Sequence, residues 1–256
     1  MKSMIFSAGL GTRFKPWTDK HPKALALVNG KSLLQRNIEY LQLYGLKDII
    51  VNVHHFPDQI INAIKTNDGW GSNVVISDER KKLLETGGGL LRAKNLYTTG
   101  QKFITCNVDI LTDLDISKLL AFHEENKALI SFGVTNRKTS RYLLFDEKNR
   151  LCGWRNTKTG EEKGPGNSSK DKESFTSKGE KSKYPLIEMA YSCVVVLEYD
   201  ILRLMEENNF TGKFSLIDVY LYFAATHRIM GYDHTGDRFV DVGNPDSVTV
   251  AESLFT

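Results

Sequence analysis

The sequence predicts an α/β fold: a Rossmann-like, mostly parallel mixed sheet with helices on both faces. Three observations carry this expectation. Short apolar runs bounded by turn residues alternate with amphipathic helical periods through the first half of the 256 residues. The first apolar run feeds a glycine turn, Ser7-Ala8-Gly9-Leu10-Gly11-Thr12-Arg13. After about residue 135 the pattern changes to hairpin-like strands followed by two helices.

Taken in order, Met4 to Phe6 reads as a buried strand and Ser32 to Tyr44 as a helix. Asp48 to Val53 reads as a strand, and Pro57 to Lys65 as a helix with proline in its first turn. Val74 to Ile76, Gly88 to Leu96, Phe103 to Val108, Ile116 to Asn126 and Ala128 to Val134 continue the alternation. Arg141–Phe145 and Arg150–Trp154 read as an antiparallel hairpin, Ala190–Leu197 as a returning strand, and Asp200–Asn208 and Leu216–Thr226 as helices. The Tyr220, Tyr222 and Phe223 cluster reads as packing. One domain is expected, in two halves of different character over about 1–135 and about 136–256. The second half carries a polar, flexible insertion near 155–184.

Two glycines let the backbone approach an anion and turn N–H groups inward, while Arg13 and Lys23 supply the opposite charge. That combination describes a cradle for a nucleoside triphosphate. A dinucleotide fingerprint would need a third glycine where Phe14 stands, which disfavours a hydride-transfer site. Gly30-Lys31-Ser32 imitates the end of a P-loop, but Leu25 occupies the position of the earlier glycine. The triplet reads better as a helix start, with Ser32 as cap, Gln35 completing a capping box, Leu34, Ile38 and Leu41 on a buried face, and Gly45 as the stop.

Ser7-Ala8-Gly9-Leu10-Gly11-Thr12-Arg13-Phe14-Lys15-Pro16, then His21-Pro22-Lys23 and Val28 to Leu34, resemble the signature of the sugar-1-phosphate nucleotidyltransferases. Further matches follow in order: Leu84-Glu85-Thr86-Gly87-Gly88-Gly89, Asn107-Val108-Asp109, and Phe239-Val240-Asp241-Val242-Gly243-Asn244-Pro245. Together they cover nearly the whole chain. Ser7 departs from the alanine usual in the family. Tyr191-Ser192-Cys193 stands where relatives carry Ser-Gly after an aromatic. Glu-Thr-Gly-Gly-Gly is most similar to the N-acetylmuramate-1-phosphate uridylyltransferase branch.

The resemblance implies attack of a sugar-1-phosphate oxygen on the α-phosphorus of a nucleoside triphosphate, UTP in that branch, with release of pyrophosphate. Such a phosphate has its second pKa near 6, so the nucleophile is already ionised and catalysis reduces to positioning and charge stabilisation. The resemblance assigns catalysis to Arg13, Lys23 and Asp109, and Mg²⁺ binding to Asp109 and Asp241, a hard cation suiting carboxylate and phosphate oxygens. It assigns nucleotide contacts to Ala8, Gly9, Gly11, Thr12, Arg13, Glu85, Thr86 and Gly88, and sugar contacts to Asn107 and Glu188. On spacing alone Asp109 and Asp241 equally suit turn caps, Glu85 to Gly89 a glycine-rich helix start, and Glu188 a solvated carboxylate. A mannose- or heptose-1-phosphate guanylyltransferase, a phosphocholine cytidylyltransferase and a silent nucleotide-sugar-binding regulatory subunit stay open.

Composition excludes other classes. The net charge of +3 is local: residues 155–184 hold eight Lys/Arg against five Asp/Glu, leaving 26 of each elsewhere, which argues against nucleic acid as a partner. That stretch reads as a surface loop or as a lid carrying Lys158, Lys163 and Lys183 toward an anionic substrate. Cys106, Cys152 and Cys193 form no close pair, so neither a disulfide framework nor a zinc knuckle is expected. The six histidines show no metalloprotease spacing. No stretch approaches a signal peptide core or a membrane span, so a cytoplasmic protein without a membrane partner, monomeric or a small homo-oligomer, is expected.

Overall fold

The structure is a computed structural model that describes residues 1–165 and 186–255. β1 (Ser3–Phe6) leads through 3-10 turns to a short ribbon of β2 (Leu27–Val28) and β3 (Lys31–Ser32), and then to α1 (Leu33–Gln42). β4 (Asp48–Val53), α2 (Pro57–Thr66), β5 (Asn73–Asp78), α3 (Glu85–Arg92), β6 (Phe103–Asn107), β7 (Ile110–Thr112), α4 (Ile116–Glu125) and β8 (Ile130–Thr135) follow. The second half comprises β9 (Arg141–Phe145), β10 (Leu151–Asn156), β11 (Glu161–Lys163), β12 (Ile187–Leu197), α5 (Asp200–Glu207), α6 (Leu216–Ala224), β13 (Ile229–Asp233), β14 (Phe239–Asp241) and α7 (Asp246–Leu254).

Ten strands form one sheet in the order β11-β10-β9-β12-β6-β1-β4-β5, with β8 joined to β12 and β13. β1, β4, β5 and β6 are parallel, as is the β8–β13 pair, and the pairings of β12 are antiparallel. Period-two alternation sends neighbours on a strand to opposite faces. Met4 and Phe6 join a core with Leu90 of α3, Met205 of α5 and Val219 of α6, while Ile5 joins a second core with Ile38 of α1, Ile60 of α2 and Leu119 of α4. Burial on both faces explains why these strands are apolar throughout rather than alternating.

Local signals explain the boundaries. Ser32 Oγ accepts from Gln35 N at 3.1 Å, capping α1, but the Gln35 amide turns to Glu39 Oε1 at 2.9 Å, so only half of the expected box forms. Gly45, at φ +72, closes α1, with Leu46 N donating to Leu41 O at 3.1 Å. α3 begins at Glu85, three residues before its expected start, which draws Glu85-Thr86-Gly87 into its first turn. The ribbons β2–β3 and β7–β14, β13 and α7 have no counterpart in the sequence reading.

β12 holds the two halves together. Val194–Leu197 pair with β6, Ile187–Met189 pair with β9, and the register against β8 slips between Tyr191 and Val195. Within that slip Cys193 sits at φ +59, a conformation favoured by glycine. The stretch expected as a flexible insertion from 155 starts as regular ladder, with Arg155 opposite Glu162 and Asn156 opposite Glu161. Its remainder, with Lys183 and the expected lid, lies outside the described residues.

Tyr220 is fully buried, stacked on Phe132 with ring centroids 5.1 Å apart and its hydroxyl 3.2 Å from that of Tyr191. Tyr220→Ala leaves a ring-sized void and should lower unfolding free energy by about 3–5 kcal/mol in urea titrations. A loss below about 1 kcal/mol would show that the helical layer is not held by this stack.

Candidate active site

β1 and β6 are the neighbours from which the parallel strands diverge, and the crevice at their carboxyl ends is where such sheets bind ligands. A cavity of about 430 Å³ occupies it. The first loop contributes Ala8, Gly9, Gly11, Thr12 and Arg13, the α3 start contributes Glu85 and Thr86, and the end of β6 contributes Asn107 and Asp109, with Lys23 at the base. Gly88 is absent from the lining. Its N–H turns to Phe214 O at 3.3 Å, and a Cβ there would fall 2.2 Å from Gly212 O, so that glycine serves chain packing.

The loop holds its shape through its own contacts. Gly11 lies at φ +60 and its carbonyl accepts from Phe14 N at 2.8 Å and Thr18 Oγ1 at 2.9 Å. Phe14, buried in the core, anchors the 3-10 turn Thr12–Phe14 where a dinucleotide fold would begin its helix. Beneath the loop, Ser7 N donates to Asn52 Oδ1 at 2.7 Å and Asn52 Nδ2 donates to Glu79 Oε1 at 2.8 Å. Ser7 Oγ also donates to Asn52 O. Sequence reasoning missed Asn52 and Glu79. A buried asparagine within the apolar run Ile49–Val53 was the available signal. Burial raises the Glu79 carboxyl's pKa, which the Asn52 bond opposes.

Lys23 is buried, and its Nζ donates to Asp109 Oδ2 at 2.7 Å. Asp109 sits in the turn between β6 and β7, and its carbonyl accepts from Val242 N at 2.8 Å, in register with the β7–β14 ribbon that pairs Ile110 with Asp241. Arg13 reaches the same place. A methyl on Gly243 would lie 3.0 Å from Asp241 Oδ1 and 3.2 Å from both terminal nitrogens of Arg13. The structure thus brings Arg13, Lys23, Asp109 and Asp241 to one rim.

Glu188 and Lys163 do not converge there. Glu188 lies within β12, outside the cavity lining, and its carboxylate is engaged by Arg155 Nη1. Lys163 pairs with Asp218 at 3.3 Å and covers the Trp154 ring. Lys213 Nζ lies 3.3 Å from Glu85 Oε1, and Thr86 Oγ1 accepts from Leu216 N at 3.0 Å. Of the histidines, His234 Nε2 pairs with Ser192 Oγ at 2.7 Å and His123 lies between Ser131 and Glu198.

Asp241 stands at the rim, open to solvent on one side and crowded by protein on the others. Burial and then the Asp109 charge raise its pKa, against Lys23, Arg13 and Arg137. A carboxyl raised in the folded state takes up its proton more readily there than in the unfolded chain. Its contribution is full below the unfolded value of about 3.9 and is lost as pH rises through the folded value. Asp241→Asn should therefore melt higher than the parent at pH 7 without divalent cations, by at most about 1 kcal/mol because solvent screens the rim. The gap should close toward pH 4; a variant less stable at pH 7 would contradict this electrostatic reading.

The sequence profile described as nucleotidyl transferase matches residues 2–143, more than half of the chain. An N-acetylmuramate alpha-1-phosphate uridylyltransferase of Caulobacter vibrioides is 39% identical over 109 residues, covering 42% of this chain and 45% of that protein. Another so named, from Neisseria meningitidis serogroup B, is 38% identical over 117 residues, covering 46% and 50%. A mannose-1-phosphate guanyltransferase of Yarrowia lipolytica is 31% identical over 150 residues, covering 58% and 41%. The matched stretch thus spans about half the length of these curated relatives or less. Among solved structures, HddC from Yersinia pseudotuberculosis complexed with GMP-PN superimposes with a TM-score of 0.74 at 23% identity, covering 100% of this chain and 99% of that one. A putative glucose-1-phosphate thymidylyltransferase from Bacillus anthracis gives 0.78 at 12% identity, covering 99% and 94%. At such identities the likeness establishes the fold. With the profile spanning more than half of its residues, the chain belongs to the nucleotidyl transferase family.

Proposed function

We propose that the protein transfers a nucleotidyl group, UMP before others, from a nucleoside triphosphate to a sugar 1-phosphate, forming a nucleotide sugar and pyrophosphate. The observation that carries this reading is the convergence of the Gly9–Gly11 loop with Arg13, Lys23 and Asp109 on one cavity at the sheet's switch point. A sugar-phosphate oxygen bonds to the α-phosphorus while the bond to the β-phosphate oxygen breaks. In-line geometry needs both anions held close, and Arg13 and Lys23 supply the counter-charge.

Arg13, exposed and forked, is placed to hold the β- and γ-phosphates and to stabilise charge growing on the departing pyrophosphate. Lys23 would exchange Asp109 for the α-phosphate or the incoming phosphate. Backbone N–H groups of the Gly9–Gly11 loop cradle the triphosphate. The donor set fits Mg²⁺: Asp109 and Asp241 lie close enough to act on one another, and two carboxylates with phosphate oxygens and waters are what this cation takes. Asp109 and Asp241 would hold it, and when bound it neutralises repulsion between the reacting phosphates. Glu85 and Thr86, which line the cavity, would face the nucleobase, and the N-acetylmuramate uridylyltransferase relatives favour UTP and N-acetylmuramate 1-phosphate as the first pair to assay.

Arg13→Ala should lower kcat about a hundred- to a thousandfold with an unchanged melting temperature. Retained turnover would remove Arg13 from the reaction. The whole reading is tested by incubating four nucleoside triphosphates against a panel of sugar 1-phosphates with Mg²⁺ and measuring pyrophosphate release. One pair should dominate, and silence across the matrix would refute transfer.

A further inference from the structure

Arg137, which follows β8, lies beside the cleft and has no place in the chemistry above. Its guanidinium carbon sits 4.5 Å from the centroid of the Phe239 ring, and Nη2 donates to Tyr191 O at 2.9 Å. Phe239 and Asp241 share one face of β14, since strand side chains alternate, so the cation is laid along the face from which Asp241 projects. Tyr191 belongs to the slipped segment of β12 beside Cys193, on the sugar-side half. The guanidinium is therefore fixed by a ring on one strand and a carbonyl on another.

What it lacks is an anion. Nε is buried and has no hydrogen-bond partner among the described residues. Of the two rim carboxylates, Asp109 is engaged by Lys23 at 2.7 Å. Asp241 acts on Arg137 only as a neighbouring charge, and burial pushes the guanidinium's pKa below the usual arginine value. A half-desolvated cation without a bonded counter-ion is costly, and buried charges are ordinarily paired. Stacking on an aromatic face pre-organises the fork and leaves its remaining N–H groups for a planar or tetrahedral oxyanion.

We infer that Arg137 is a substrate-binding and specificity-determining residue that receives an oxyanion of the sugar substrate on the side of Asp241 opposite Arg13. This rests on the transfer reaction proposed above. Two oxyanions have the required chemistry, the 1-phosphate common to all sugar 1-phosphates and the carboxylate of an acidic sugar. A neutral sugar 1-phosphate carries only the first.

The test compares Arg137→Ala with the parent enzyme, using UTP and either N-acetylmuramate 1-phosphate or N-acetylglucosamine 1-phosphate, with Mg²⁺. The KM for the sugar substrate should rise about ten- to a hundredfold, the loss of one charge-assisted contact, while KM for UTP and the melting temperature stay put. A rise with both sugars assigns the 1-phosphate, and a rise confined to N-acetylmuramate 1-phosphate assigns the carboxylate. Unchanged KM for both sugars, or a change confined to UTP, overturns the inference. If Arg137→Ala melts lower, Arg137→Gln replaces it, keeping a donor for Tyr191 without the charge, and unchanged KM there overturns the inference equally. A parent enzyme inactive with every pair sinks the transfer reading and this inference with it, whereas an active parent with unmoved variants sinks this inference alone.

Discussion

The ion pair between Lys23 and Asp109 is the constraint on which the cleft depends. It ties the glycine loop after β1 to the turn after β6, two segments that approach only because their strands are parallel neighbours. In the transfer proposed above each partner is half of a binding function, the lysine for phosphate and the carboxylate for a cation, and the two satisfy one another. A buried lysine without a counter-charge would be strongly unfavourable, and Asp109 supplies that charge. In that reaction substrates would displace a formed contact, which favours anion and cation arriving together.

Around that pair the protein has built a rigid floor. Ser7, Asn52 and Glu79 form a chain of polar contacts under the loop, each on a different parallel strand or its extension. A loop that satisfies its own carbonyls and rests on a fixed amide needs little ordering when phosphate arrives, and pre-organisation of that kind is what transfer chemistry without a general base requires.

Much of this was legible in the sequence, for identifiable reasons. The boundaries of β4 and α2 were readable because apolar periodicity, a proline at the first helical position and flanking polar residues agree. Arg13, Lys23, Asp109 and Asp241 stand in the motifs that carry the family resemblance, and they meet at one rim. The β7–β14 ribbon was not, because three-residue strands carry too little pattern to register, although it is what sets Asp241 beside the β6 turn. Gly88 was misplaced, since a glycine read as ligand-facing is spent instead on the approach of residues 212–214. Glu188 was misjudged because a strand extending to Ile187 and a partner at Arg155 are long-range facts. Arg137 was invisible for the same reason: only the fold sets it on Phe239.

β12 runs unbroken from the hairpin layer to the strand beside β6, laddered on both edges near its carboxyl end. The wall carrying Tyr191 and the strand that precedes Asp109 are consequently pieces of one continuous sheet. Movement at Cys193 would strain the ladders that flank the slip, Ala190 and Tyr191 with β8 and Val194–Leu197 with β6. In the transfer proposed above, accommodation of sugars of different bulk then falls to rim loops and rotamers set against the contour of that wall.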